Sequence, residues 1–222
     1  AIAEAFRRRK NNYPSPGEES GPSLFANEFA DFLSESISIE VLPAKDGVSG
    51  IHCGNLVDAH KSASKQLMDT SRVSVKRDIR ALIVSTAGYE SDSTLADGLK
   101  AVWNVVGRMN DKGHLALIAE CSDGLGSEAL KMYVSGRLDV KNLLKRGEYI
   151  EGLEDLVYLQ TALHRSTLIL VSALPDYYTE VKMGFQTCRK AGDALSYILS
   201  TAGVRTKVHI LHNGDATLLS KK

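Results

Sequence analysis

Between Ser85 and Lys100 the chain sets out a hydroxyl, a phenol, two carboxylates and an ammonium: Ser85, Tyr89, Asp92, Asp97 and Lys100, within STAGYESDSTLADGLK. Groups of these types hold a small polar or charged molecule by hydrogen bonds and charge. Each also has a plainer reading. Asp97 and Lys100, three apart on a helix, make a surface ion pair worth a few tenths of a kcal/mol, and the Tyr89 ring can pack against a sheet edge.

The elements that would position these groups are legible around them. Ile79 to Ser85 is a short apolar run ending in small residues, which predicts a buried strand of an α/β sheet. From Leu95 the apolar positions Leu95, Leu99, Val102, Val106 and Met109 recur every three or four residues, as in a helix with one buried face. Asp92 is placed to cap that helix, because its carboxylate can accept first-turn N–H groups. In open α/β sheets ligands collect at the carboxyl ends of strands, so the five residues fall where a site is expected.

Other clusters carry less. Glu120 to Glu128, ECSDGLGSE, is a glycine-rich turn whose amides could meet a phosphate or carboxylate at a helix start, but it lacks the full GxGxxG pattern and reads better as a plain tight turn. His209 and His212 are three apart on an expected strand, which sends their side chains to opposite faces. His52, Cys53 and His60 do not supply the three or four converging ligands a metal needs. No metal site is expected.

At 222 residues with 43% hydrophobic content the chain has enough apolar surface for a core. Twenty-seven acidic residues balance twenty-seven basic ones, so no global field recruits nucleic acid or an anionic membrane, and neither is expected as a partner. Cys53, Cys121 and Cys188 are scattered and form no CxxC pair, which argues against a disulfide framework and fits a reducing cytoplasm. No apolar run reaches the roughly 20 residues needed to span a bilayer.

Along the chain, a short basic helix precedes a loop at Asn11 to Pro22. A helix follows at Ser23 to Leu33 with Leu24, Phe29, Phe32 and Leu33 turned inward. Ile37, Ile39 and Val41 alternate as in a half-buried strand, and a turn at Lys45, Asp46 and Gly47 predicts a hairpin into Val48 to Cys53. Asn55 caps a helix to about Met68. From Ile79 strands and helices alternate, with strands at Leu115 to Glu120, Leu168 to Ser172 and Val208 to Leu211 and a helix at Glu154 to Leu163. Such alternation predicts an α/β fold: a mainly parallel sheet flanked by helices in a three-layer, Rossmann-like arrangement, with a smaller α/β portion formed by the N-terminal residues and the last strand.

The pattern S-x-x-G-Y-x-x-D from Ser85, followed eight residues later by Lys100, resembles the start of the C-terminal domain of the nickel-dependent lactate racemase family. HLALIAECSDGLGSEAL (residues 114–130), TLILVSALP (167–175), ILHNGDATLL (210–219) and IHCGNLVDAH (51–60) are similar to further segments of that family. The resemblance runs over nearly the whole chain from about Ser23. It implies the tail of the family's N-terminal domain at residues 1–76 and the C-terminal domain at 77–206, with strand 207–219 folding back to pair near Ile37 and Ile51.

The resemblance further implies that the intact protein racemises or epimerises a 2-hydroxy acid by hydride transfer. A nickel pincer nucleotide is then bound mainly by an N-terminal half whose motifs are not in this chain, with none held here and that half as a partner. Lys100 and Asp97 take the catalytic positions, Ser85, Tyr89 and Asp92 the substrate-binding turn, and Gly124 and Gly126 a cofactor-binding turn. The chain departs from the family at Ala96 and Asp97, which replace a Tyr-Gln pair, at Ala87 and Glu90, which replace Gly and Pro, and at Leu153 and Glu154, where a Trp-Gln pair is usual. Asp97 adds negative charge beside an anionic substrate, so an acid other than lactate is expected unless Lys100 neutralises it. The alternatives are a non-catalytic ligand-binding relative and a nucleotide-binding α/β domain.

Overall fold

The computed structural model describes residues 2–7, 20–33, 35–44 and 47–222. The expected loop at 11–19 and the turn residues Lys45 and Asp46 lie outside them. The chain divides into two compact units, Ala1–Arg72 and Val73–Lys222.

The first unit contains α1 (Ile2–Arg7), α2 (Gly21–Asp31), β1 (Ile37–Ala44), β2 (Gly47–Asn55) and α3 (Leu56–Ser71). Helix α2 starts with a reciprocal cap: the Ser23 amide donates to Ser20 Oγ at 3.2 Å and the Ser20 amide to Ser23 Oγ at 2.8 Å. Strands β1 and β2 form an antiparallel hairpin with Val41 opposite Ile51. Asn55 Oδ1 accepts the Val57 amide at 2.9 Å, which starts α3 where the sequence predicts it. Leu42, Ala59 and Ala63 are buried where α3 lies on one hairpin face. Ile37, Ile39, Val41 and Ile51 are exposed on the other. Phe29, Phe32 and Leu33, expected to face inward, are exposed; α2 buries Gly21 and Ala30 instead. The small residues allow close approach, and Phe25, Phe29 and Phe32 pack on one another at 6.3 and 6.2 Å between centroids.

The second unit holds β3 (Arg72–Val75), β4 (Ile79–Ser85), α4 (Tyr89–Asp92), α5 (Leu95–Val106), β5 (Met109–Ile118), α6 (Glu128–Val134), α7 (Val140–Arg146), α8 (Leu153–Arg165), β6 (Ser166–Val171), β7 (Gln186–Cys188), α9 (Ala191–Ala202), β8 (Val208–Leu211) and β9 (Leu218–Lys221). A π-helical turn spans Tyr177–Lys182. Five strands form a parallel sheet in the order β7-β6-β5-β4-β8. Ala81, Ile83, Ala116 and Ile169 on one face pack against Ala194 and Ile198 of α9. On the other face α5 comes so close that a Cβ at Gly98 would stand 3.0 Å from Ala119 Cβ and 3.6 Å from Leu117. The molecule is therefore an α/β fold with helices flanking a parallel sheet.

Two assignments shift. Helix α5 ends at Val106, and Met109, read as its last inward residue, is the buried first residue of β5. Residues 207–219 were expected beside the N-terminal strands. Val208–Leu211 instead lies parallel to β4, with Val208 packed on the α9 face, and β9 pairs with β3. Strand β4 is thus where the strand order reverses, with β5 on one side and the last strand of the sheet on the other.

Candidate functional site

Crevices in parallel sheets open beyond the carboxyl ends of strands where the order reverses, which here means the segments after β4 and β8. The two are laced together. The Gly214 amide donates to the Ser85 carbonyl at 2.8 Å, Ser91 Oγ donates to Asp215 Oδ2 at 2.8 Å, and Asn104 of α5 donates to both Gly214 and Asp215 carbonyls at 2.9 Å. Ser85 Oγ reaches His212 Nδ1 at 3.5 Å, the limit of a hydrogen bond. Asp215 Oδ1 is buried with no partner.

Asp92 sits at the end of α4 and does not cap α5. Its Oδ2 accepts the buried Thr86 hydroxyl at 3.0 Å and the Glu120 amide at 3.3 Å, so it ties the β4 loop to the β5 loop. The cap is Thr94, extended at φ −124°, whose Oγ1 accepts the Asp97 amide at 3.2 Å and donates to Asp97 Oδ2 at 2.6 Å. Lys100 Nζ meets the other oxygen, Oδ1, at 2.9 Å while most of its side chain stays exposed. The Thr94 hydrogen bond, and then that from Lys100, hold the Asp97 carboxyl below its ordinary pKa. The pair is therefore an ionised carboxylate orienting an ammonium that keeps donors for a second acceptor.

Tyr89 is exposed, and its hydroxyl donates to Asp123 Oδ2 at 3.4 Å. The Gly124–Gly126 turn docks on α5: the Leu95 amide donates to the Gly124 carbonyl at 2.9 Å and the Ala96 amide to the Leu125 carbonyl at 3.2 Å. A Cβ at Gly126 would run into Thr94 Oγ1. The glycines thus seat the turn against the helix, and the first-turn amides a phosphate would use already have acceptors. At the following helix, α6, the Leu130 amide donates to Ser127 Oγ and the Ala129 amide to the Glu151 carbonyl.

The surroundings are acidic. Cys121, left-handed at φ 56°, buries a thiol pushed up to about 12 by burial and then by the charges of Asp92, Asp97 and Glu120, so it is not a nucleophile. Asp155, at the start of α8, is raised to about 6 by burial and by Glu154, against the opposing pull of the Trp103 hydrogen bond and the Lys100 charge. The reading of the sequence misses Thr86, Thr94, Asp155 and Asp215: Asp155 and Asp215 matter through Trp103 and Ser91, brought in by other segments, whereas Thr94 is a local cap three residues before Asp97 and Thr86 bonds Asp92 within one loop.

No family model matches the chain. Its sequence is 22% identical over 189 residues to the lactate racemase of Thermoanaerobacterium thermosaccharolyticum, covering 82% of this chain and 44% of that protein. The fold of the lactate racemase apoprotein from the same organism matches with a TM-score of 0.81 at 16% identity, over 98% of this chain and 55% of the other. The chain is similar to lactate racemase in sequence and in fold. It spans about half the length of that relative. A crystal structure of a Thermotoga maritima protein matches with a TM-score of 0.65 at 12% identity, over 92% of this chain and 54% of that one.

The likeness to lactate racemase raises a nickel nucleotide, which the described residues do not fit. Among them no group of three or more His, Cys, Asp or Glu is placed to hold a metal ion. His209 stands beside Leu82 in the sheet register, whereas His212, expected on the same strand, lies beyond the strand end near Ser85. Among the described residues no helix is long and apolar enough to cross a membrane.

Proposed function

We propose that this chain supplies the substrate contacts of a 2-hydroxy acid racemase or epimerase resembling lactate racemase, with Lys100 as the anchor for the substrate carboxylate. One observation supports the reading: an exposed ammonium on α5, the helix that follows the strand where the order reverses, held at 2.9 Å by a carboxylate that its own helix cap fixes. A lysine ammonium suits this task because its rotatable donors can serve Asp97 and a ligand together.

The chain's own residues then act in sequence. Lys100 pairs with the incoming carboxylate, and Asp97 keeps the ammonium aimed. Asp97 also accepts from a hydroxyl of the substrate, which favours an acid bearing hydroxyls beyond the one on its α-carbon. The acids around the pair disfavour a bare monoanion such as lactate. Ser85 ends β4 and Tyr89 opens α4, on the chain leading into the helix that carries the pair. Asp92, whose Oδ2 accepts from Thr86 and Glu120, positions that stretch of chain. No group of three or more His, Cys, Asp or Glu among the described residues is placed to hold a metal ion, so no step here passes through one.

The test is a titration of the chain with lactate and with longer polyhydroxylated 2-hydroxy acids, followed by amide chemical shifts. The expected result is saturable shifts around residues 85–100, stronger for the polyhydroxy acids, that vanish in Lys100→Ala with the fold intact. Equal binding by Lys100→Ala, or no shifts with any acid, overturns the reading.

A further inference from the structure

At the opposite, amino end of the sheet a cavity of about 900 Å³ is lined by Lys76, Arg77, Arg80, Arg205, Lys207 and His209. That volume lies within the range of small-molecule sites, roughly 300–1,000 Å³. On a chain whose charges sum to zero, this is a concentration of one sign. Among the described residues Asp78 is the only acid lining it, and that carboxylate is already paired with Arg108. No described carboxylate lies within ion-pair distance of the five cations.

The backbone explains how they converge. Ala81 pairs with Val208 and Leu82 with His209, so Arg80 and Lys207 each come one residue before the paired stretch of adjacent parallel strands, at the same end of the sheet. Like charges gathered at one end repel unless something lies between them. Arg205 and Lys207 are presented by a loop that Thr206 secures, its amide donating to the Gly203 carbonyl at 2.9 Å and its hydroxyl to the Ala202 carbonyl at 2.7 Å. The Leu199 carbonyl accepts the Gly203 amide at 3.1 Å, so carbonyls at the end of α9 are turned to local donors. His209 adds a buried Nδ1 with no partner. Val75, Ile79 and Ala202 give the cavity an apolar wall.

We infer that this cavity binds a multiply charged phosphate ester of nucleotide size, its phosphates among Arg80, Arg205 and Lys207 and its apolar part on Val75 and Ile79. A monoanion would leave most of the cations unbalanced, whereas adjacent phosphates meet several at once, and guanidinium groups match phosphate oxygens in pairs. The concavity favours a compact ligand over a polymer. The inference is independent of the proposal for Lys100, which concerns the other end of the sheet.

Calorimetric titration of the chain with ADP, inorganic pyrophosphate and adenosine tests it. ADP and pyrophosphate should each bind at a single site and adenosine should not, with binding weakened at higher salt. Arg80→Gln/Arg205→Gln/Lys207→Gln should weaken ADP by about tenfold or more, since charge-assisted hydrogen bonds are lost. Should that variant fail to fold, Arg205→Gln alone, on the exposed loop, should weaken ADP severalfold. Undetectable binding of both phosphates, undiminished binding by the folded variants, or tighter binding of a single-stranded oligonucleotide than of ADP overturns the inference.

Discussion

The two ends of one parallel sheet differ in how they treat charge. At the carboxyl end Asp92, Asp97 and Asp215 are tied into hydrogen bonds with Thr86, Thr94, Lys100 and Ser91, and they hold two loops in register. At the amino end Arg80, Arg205 and Lys207 stand around a cavity with no described carboxylate within ion-pair distance. The whole-chain balance of 27 against 27 conceals this separation, because a net charge is a sum and a site responds to a local field. The acids at one end already serve the fold, and the cations at the other remain available to a ligand.

The contrast breaks most severely if the carboxyl-end lacing is undone. A Cβ on Gly214 would collide with Val84 Cγ2 and stand 3.0 Å from Ala101 Cβ, while the Gly214 amide holds the Ser85 carbonyl at 2.8 Å. Gly214→Ala should therefore cost about 3 kcal/mol, as forced overpacking against a buried strand does. Urea unfolding followed by circular dichroism checks it, and a loss under about 1 kcal/mol would mean that this loop yields easily.

How much of this was legible depended on how local the cause was. The strand at Ile79–Ser85 and the cap at Asn55 follow from neighbouring residues, and the structure has both. Thr94 and Asp92 are both plausible caps for α5. What separates them is the Glu120 amide, 28 residues on, which takes Asp92 away. Met109 continues the spacing of α5, but the helix stops before Gly107 and the residue opens a strand instead. The partner of Val208–Leu211 could not be read from four residues, because parallel pairing is set by a distant crossover. Lys100 was found by motif and the cavity at the amino end was not, since its cations come from two segments about 130 positions apart that meet only through strand register.

Asp155 sharpens the comparison by testing whether the carboxyl end carries a cost for its acidity. Its pKa of about 6 in the fold exceeds the ordinary 3.8, so the folded chain holds the proton more tightly than the unfolded one. That preference stabilises fully below about 3.8 and is lost as the pH rises through 6. At pH 7 the ionised group is a burden, and Asp155→Asn should raise stability by about 1 kcal/mol after allowance for its partial exposure. Denaturant melts across this range should show the gain shrinking toward acid pH. A gain that did not change with pH would assign it to packing.

The smallest effect is expected at the amino end. His114, bonded through Nε2 to Thr201 Oγ1 at 2.9 Å, has its pKa held below the ordinary 6.5 first by burial and then by the Arg80 charge. Because the folded value is depressed, the unfolded chain takes up the proton first as the pH falls below 6.5, and stability present above that value drains away. Arg80→Gln should move the His114 titration, read from its ring proton shifts, back toward 6.5 at low salt and by less at high salt. It should also raise the melting temperature of the ligand-free chain slightly at low salt, since one of two adjacent cations is gone. An unchanged His114 titration would mean that the Arg80 charge is already screened, and the amino end would then be no more charged in effect than the rest of the surface.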